Sequence, residues 1–311
     1  MKTTDLLVVL GPTASGKTKL AAHLAYAFKS AILSADSRQV YKNMNIGTGK
    51  DYEDYTVNGK PIAHYLIDMV EAGEKYNLSR YLQDFTKTYT MLRNKNIIPI
   101  LCGGTGLYIQ AAISNFQYSN VPKNYSLIAD LGEFSHKELI QKFTALPQNA
   151  YTAIADLSTK KRCLRAIEIA THLNTQATEL PTSSAINSFI IGIKPTRENR
   201  INRIKIRLKS RLETGLIEEV KNLLQQGITH ELLRYYGLEY KFISMYLTNE
   251  LTKTAMEEKL ATAIMQYAKR QMTYFRKMEK DGLNIHWIDG DLPFEEQLRQ
   301  SKECIQQTLK Y

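Results

Sequence analysis

The sequence predicts an α/β fold: a P-loop NTPase-like parallel sheet flanked by helices, with a mainly helical insertion. Three observations lead there. Short apolar runs alternate with helical patterns, which implies parallel strands joined by helical crossovers. A glycine-rich phosphate loop, GPTASGKT at residues 11–18, follows the first apolar run directly and opens a helix. A stretch from about 113 to 187 carries Asn, Gln, Ser and Lys but few strand signals.

The elements follow in order. The run at 6–10 is the expected first strand, and the first helix runs from Leu20 to Phe28. Further strands are expected at 31–35, 97–102 and 188–193, with a weaker one at 285–288; each has the length of a buried strand. Inside the 113–187 stretch, helical patterns stand at about 136–146 and 160–173. From 196 to 281 the pattern is helical almost throughout, punctuated by turn signals at Gly215, Gly227 and Gly237. A catalytic core of 1–112 and 188–311, with an insertion at 113–187, is the expected organisation. No internal repeat or low-complexity tract interrupts it.

A chain of 311 residues suits about two domains, or one with a large insertion. With 43% apolar and 23% charged residues, the composition is that of a soluble globular protein. No apolar run approaches the ~20 residues needed to span a bilayer, so no membrane association is expected. The three cysteines, Cys102, Cys163 and Cys304, are odd in number and widely spaced, and no CxxC occurs. That argues against disulfides or a zinc site and fits a cytoplasmic location, as does the lack of a separate signal segment before the first strand. The six histidines show no metal-ligand spacing, and His64 in PIAHYLID reads as a hydrogen-bonded structural residue. Net charge is +10, which means either a well-solvated surface or a polyanionic partner.

GPTASGKT matches the phosphate-loop pattern in full, with a strand before it and a helix after it. Gly11 and Gly16 let the backbone curl so that the amides of 13–18 point at one anion, and the helix adds its positive end. Lys17 supplies a point charge to the terminal phosphates. The Thr18 hydroxyl is placed to ligate Mg²⁺. The loop reports a di- or triphosphate, but not which one.

ADSRQVYK, at 35–42, ends the second strand with an acid, a hydroxyl, a guanidinium and an amide: Asp36, Ser37, Arg38 and Gln39. In open α/β sheets, ligands bind at these strand ends. Asp36 there is placed as a general base, although a lone Asp at a strand end is more often a helix N-cap. Arg38 and Gln39 suit a phosphate and a base edge respectively, more than a small hydroxylic acceptor needs.

These segments resemble those of the tRNA dimethylallyltransferases (IPP transferase family, tRNA isopentenyltransferases), and the likeness extends over almost the full length. GPTASGKT and ADSRQVYKNMNIGTGK (35–50) are joined in the family's order by GGTGLY (103–108), KRCLRAIE (161–168), GLIEEV (215–220) and YAKRQ (267–271). Six motifs in order make the match specific. The resemblance implies transfer of a dimethylallyl group from dimethylallyl diphosphate to N6 of the adenosine 3′ to the anticodon, leaving diphosphate. It implies Asp36 as the base that takes the amine proton. Gly11, Thr13, Ala14, Ser15, Gly16, Lys17 and Thr18 would hold the diphosphate with Mg²⁺, with the Thr13 hydroxyl within reach of its oxygens. Ser37, Arg38, Gln39 and Thr105 would hold the extruded nucleotide, and the 113–187 insertion would bind the tRNA anticodon stem-loop. A monomer is expected.

The basic charge concentrates in 194–211, which holds eight Lys or Arg and one acid, Glu198. At about 100° per residue, Arg200, Arg203, Arg207 and Arg211 fall in an arc roughly 80° wide, beside an apolar arc of Ile201, Ile204, Leu208 and Leu212. Like charges at this spacing cost stability unless something neutralises them. Arg207 aligns by spacing with the family arginine at the diphosphate, and Arg203 is expected to serve the tRNA backbone. Arg162 and Arg165 are expected at tRNA phosphates. Lys269, Arg270, Arg276 and Lys277 interleave with Tyr267, Tyr274 and Phe275, aromatics that suit a core as well as a stacking platform. Departures from the family pattern stand at Thr48-Gly49-Lys50-Asp51, at Gly237-Leu238-Glu239-Tyr240 and in the short insertion; they bear on tRNA affinity and target choice. A P-loop kinase of a nucleoside or small metabolite is the alternative function, and an ATP-binding module without chemistry a distant third.

Overall fold

The computed structural model describes residues 4–114, 118, 121–175 and 185–309. Eight strands occur among them: β1 (Leu6–Leu10), β2 (Ile32–Ser34), β3 (Thr56–Val57), β4 (Lys60–Pro61), β5 (His64–Tyr65), β6 (Ile100–Gly103), β7 (Ser188–Lys194) and β8 (Ile285–Asp289). The helices are α1 (Lys17–Ala27), α2 (Leu78–Asn94), α3 (Gly106–Ile113), α4 (Tyr125–Leu131), α5 (His136–Thr144), α6 (Lys160–Thr175), α7 (Arg197–Glu213), α8 (Leu216–Gln225), α9 (His230–Tyr236), α10 (Leu238–Leu247), α11 (Lys253–Lys280) and α12 (Phe294–Leu309).

Six strands form one sheet in the order β5-β2-β6-β1-β7-β8, and every neighbouring pair is parallel. The α/β prediction holds. Alternation along β1 feeds two cores: Leu6, Val8 and Leu10 pack on one face, Leu7 and Val9 on the other. The continuous burial of LLVVL is what a parallel strand covered on both faces requires. The order places β1 between β6 and β7, so the loops after β1, β2 and β6 emerge side by side at the carboxyl ends of their strands.

The third predicted strand starts late. Asn96 turns through φ 56° and the Ile97 amide donates to Leu92 O, so Ile97 and Ile98 close α2 instead of pairing. Two short features carry too little pattern to be read in advance. The edge strand β5 is two residues long and pairs with Ile32 and Leu33. The hairpin β3–β4 turns on Asn58-Gly59, both left-handed, the pair that matches strand twist. His64 lies in β5, with Nδ1 3.0 Å from Ile62 O.

The chain divides into two compact units, residues 1–114 with 186–311, and residues 115–185. The boundary falls two residues inside the expected 113–187 because Ile113 ends α3 and its carbonyl accepts from the Ile186 amide. The second unit contains α4, α5 and α6 around Leu131, Leu139, Phe143, Cys163, Ala166, Ile167 and Ala170. Its α5 starts with a capping box between Ser135 and Glu138. Among the described residues, no helix is long and apolar enough to cross a membrane.

Candidate active site

The loop between β1 and α1 is shaped by two left-handed residues, Ala14 at φ 61° and Gly16 at φ 83°. Gly16 caps α1 with no side chain accepting from the first turn, so those amides remain available to an anion. Gly11 has a packing reason instead of a binding one: a Cβ there would stand 2.6 Å from Ser15 Oγ and 3.0 Å from Ile193 O. Ser15 is buried with its hydroxyl turned toward Gly11, which leaves its backbone amide as the group it can offer a ligand. Thr13 through Thr18 line one cavity of about 670 Å³; Gly11 does not. Lys17 stands half-buried on its wall, 3.5 Å from Pro12 O, and burial lowers its pKa below the ordinary lysine value.

Gln271 on α11 fixes this loop from the far end of the sequence. Its Oε1 accepts from the Thr13 amide at 2.8 Å, and its Nε2 donates to Gly104 O at 2.9 Å. A Cβ on Gly104 would collide with that Nε2. The second glycine of GGTGLY therefore leaves room for the amide that bridges two loops, while Gly103 makes room for Ala35, the residue after β2. Replacing Gln271 with Leu should orphan the buried Gly104 C=O, at roughly 1–3 kcal/mol, and strip the partly buried Thr13 N–H of its partner. Chemical denaturation should report that loss, with a weaker diphosphate affinity beside it; an unchanged midpoint would refute the bridge.

The loop after β2 faces the same cavity with Asp36, Ser37, Arg38 and Gln39. Asp36 Oδ1 accepts from the Arg38 amide at 2.9 Å, which orients the carboxylate. The Ser37 amide donates to the Thr105 hydroxyl at 3.2 Å, so Thr105 sets this loop's position without lining the cavity itself. Gln39 holds structure at both ends: Oε1 accepts from Ser34 Oγ at 3.1 Å and Nε2 donates to Gly49 O at 3.0 Å. Arg38 lies 5.5 Å from the ring centre of Tyr235, an exposed aromatic on the cavity wall.

The next stretch is clamped by an acid read beforehand only as part of GLIEEV. Glu219 accepts from the amides of Asn45, Ile46 and Gly47 at 2.7–3.0 Å and from Tyr240 Oη at 2.7 Å. Tyr240 packs so close to Gly47 that a Cβ there would stand 2.5 Å from the ring. The buried ammonium of Lys50 secures the other end, at 2.5 Å from Tyr41 O and from Asp68 Oδ1.

The four arginines of the α7 arc are not one open stripe. Arg203 lines the cavity but donates to Gly290 O at 2.9 Å and lies 3.7 Å from Asp291. Arg207 and Arg211 both pair with Asp51, the latter at 3.3 Å. Burial and the nearby charges of Arg197 and Arg276 lower the Arg200 pKa. Neutralisation by particular acids and carbonyls thus resolves the like-charge cost in part within the chain. Glu239 faces the same pair; burial raises its pKa and Arg211 opposes the shift. Asp54, raised by burial and by Asp51, also lines the cavity. Burial pushes the Cys102 thiol up to about 12, so this cavity-lining cysteine is a neutral thiol, not a nucleophile.

Of the remaining basic residues, Arg162 and Arg165 lie on α6 in the second unit. Arg162 pairs with Asp156 at 2.9 Å. Arg165 donates to Val121 O at 2.6 Å and stands 3.4 Å from Glu168, so it ties that unit together. On α11, Tyr267 and Arg270 line the cavity, Phe275 is core, and Tyr274 Oη donates to Gln110 Oε1 at 2.8 Å. Sequence reasoning missed Asp51, Asp54, Tyr235, Glu239 and Gln271 as cavity residues. The departures at 48–51 and 237–240 were the available signal for two of them, Asp51 and Glu239.

The family model described as IPP transferase matches residues 39–278, and one described as isopentenyl transferase matches residues 4–66. The chain is 49% identical over 286 residues to "tRNA dimethylallyltransferase 1" of Azobacteroides pseudotrichonymphae, covering 92% of this chain and 93% of the relative. It is 45% identical over 312 residues to the protein of the same name from Parabacteroides distasonis, covering 99% and 100%. Among solved structures it resembles the full-length tRNA isopentenylpyrophosphate transferase of Bacillus halodurans at a TM-score of 0.73 and 30% identity, over 99% of this chain and 97% of that one. It shares its fold with a eukaryotic dimethylallyltransferase acting on tRNA, at a TM-score of 0.76 and 21% identity, over 97% of this chain and 78% of that one.

Proposed function

The chain belongs to the IPP transferase family, and from that membership and the geometry of the cavity we propose how it works. It is a prenyltransferase that moves a dimethylallyl group from dimethylallyl diphosphate to tRNA. The acceptor is N6 of the adenosine 3′ to the anticodon, carried on the anticodon stem-loop. The observation that carries this reading is that Asp36, a carboxylate able to take a proton, lines the same cavity as the phosphate loop, Lys17 and Arg207, groups suited to hold an anion.

The chemistry needs both. The adenine amine is a poor nucleophile because its lone pair is delocalised into the ring. As N6 bonds to the allylic carbon, the carbon–oxygen bond to diphosphate breaks, and the amine proton passes to the Asp36 carboxylate. Charge builds on the departing diphosphate, where the uncapped amides of α1, Lys17 and Arg207 face it. The target base must leave its stack to enter such a cleft. Arg38, next to the exposed Tyr235, gives the mouth of the cavity a cation and an aromatic face for nucleotides. Thr18 and Asp54 supply the cavity with oxygen donors of the kind Mg²⁺ takes, and Thr18 would hold it. Bound there, Mg²⁺ would neutralise charge on the diphosphate. A monomer working in the cytoplasm completes the reading.

The test incubates the purified protein with Mg²⁺, dimethylallyl diphosphate and an unmodified anticodon stem-loop, and follows nucleosides by mass spectrometry. We expect one dimethylallyl unit on the adenosine 3′ to the anticodon, and none when purine riboside replaces that adenosine. Phosphate transfer from ATP to a nucleoside, with no prenylation, would establish the kinase alternative instead.

A further inference from the structure

Asp51 carries an inference that rests on the phosphate loop being the diphosphate site. Its carboxylate bridges two guanidiniums from successive turns of α7, Arg207 through Oδ2 and Arg211 through Oδ1 at 3.3 Å, inside the cavity that holds Lys17. The surroundings are built for this contact. Gly49 has φ 72°, and a Cβ there would stand 2.7 Å from Arg207 Nη2 and closer still to Arg211 Nη2. A side chain at position 49 would expel the pair. Gly49 and Asp51 both lie in the 48–51 segment where the sequence departs from the family pattern, and the structure joins them in one contact.

Asp51 cannot swing far. The backbone leading to it is pinned by Glu219 at residues 45–47 and by the buried Lys50 beside it. Of the two cations, Arg211 is the more enclosed, with 13% of its side chain exposed against 31% for Arg207. Arg207 is therefore the one free to turn. An incoming diphosphate must draw Arg207 off Asp51 or share it, while Arg211 stays.

We propose that Asp51 is a positioning residue for Arg207: a built-in anion that competes with the diphosphate for that guanidinium, weakening the hold on both substrate and released diphosphate. The partition follows from charge alone. A fixed carboxylate beside the arginine pair repels a second anion and occupies a donor that the second anion needs.

Inorganic diphosphate with Mg²⁺ is the probe, titrated calorimetrically into wild type, Asp51→Asn, Asp51→Ala, Asp51→Glu and Lys17→Ala. Asp51→Asn and Asp51→Ala should bind diphosphate roughly two- to fivefold tighter, the scale of a partly exposed ion pair removed from competition. KM for dimethylallyl diphosphate should fall in parallel, while the single-turnover rate does not rise. Asp51→Glu, which keeps the charge, should not tighten binding. Unchanged or weaker diphosphate binding in both neutral variants would overturn the proposal, since a purely structural Asp51 would orient Arg207 for its ligand. If Lys17→Ala binds diphosphate as wild type does, the site itself is misassigned and the proposal falls with it. Tighter binding in the neutral variants alongside loss in Lys17→Ala supports both.

Discussion

Asp36→Asn should lower single-turnover transfer of the dimethylallyl group by about 10²–10⁴-fold, the usual contribution of a general base, and leave diphosphate affinity nearly unchanged. The substitution is close to isosteric. The carboxamide oxygen of the variant side chain can still accept from the Arg38 amide, as Asp36 Oδ1 does, so the loop after β2 keeps its shape. What is lost is the capacity to take a proton. In the proposed site the diphosphate is held by the phosphate loop, Lys17 and Arg207, and removing a carboxylate from the same cavity does not weaken an anion site. Rapid-quench kinetics at saturating tRNA, with calorimetric titration of diphosphate, separates the two effects. A rate within about threefold of wild type, below that range, would remove Asp36 from the role of base.

The split between what the sequence discloses and what it hides follows from distance along the chain. The loop after β1, the cluster after β2 and the strand pattern are local; each is a run of neighbours whose chemistry is set by types and spacing. One edge of the sheet was poorly legible because β5 is two residues long and borrows its stability from Ile32 and Leu33. Gln271 stands 258 residues from the amide it holds, and nothing near Thr13 announces the need for it. The α7 arginines show the same limit more sharply. Helical geometry placed four of them in one arc, but which are engaged depends on Asp51 and on the turn at Gly290 and Asp291, from opposite ends of the chain. A departure from a family pattern was the sole local mark of Asp51 and Glu239. It indicated position but not partner.

Lys17→Ala should weaken diphosphate binding roughly 10–100-fold, because a hydrogen bond to a charged group contributes about 1.5–3 kcal/mol and each 1.4 kcal/mol is tenfold. Transfer slows with it, while affinity for the tRNA stem-loop persists. Lys17 suits this role because it is so loosely held: its ammonium has one long contact, to Pro12 O at 3.5 Å, and can turn to a ligand. Its pH signature is distinctive. Burial lowers the Lys17 pKa, with the nearby Asp36 carboxylate among the groups opposing the shift. A bound diphosphate anion favours the charged form and raises it again. Diphosphate binding therefore takes up a proton once the pH passes the lowered lysine pKa. Affinity is complete below that pH and declines as the pH rises through it, short of the ordinary value of 10.5. In Lys17→Ala that alkaline decline disappears. Titration of diphosphate across neutral to alkaline pH, in wild type and variant, decides the matter. Parallel pH profiles would show that another group carries the charge, and parallel loss of tRNA and diphosphate affinity would show that Lys17 holds the site's architecture instead of its ligand.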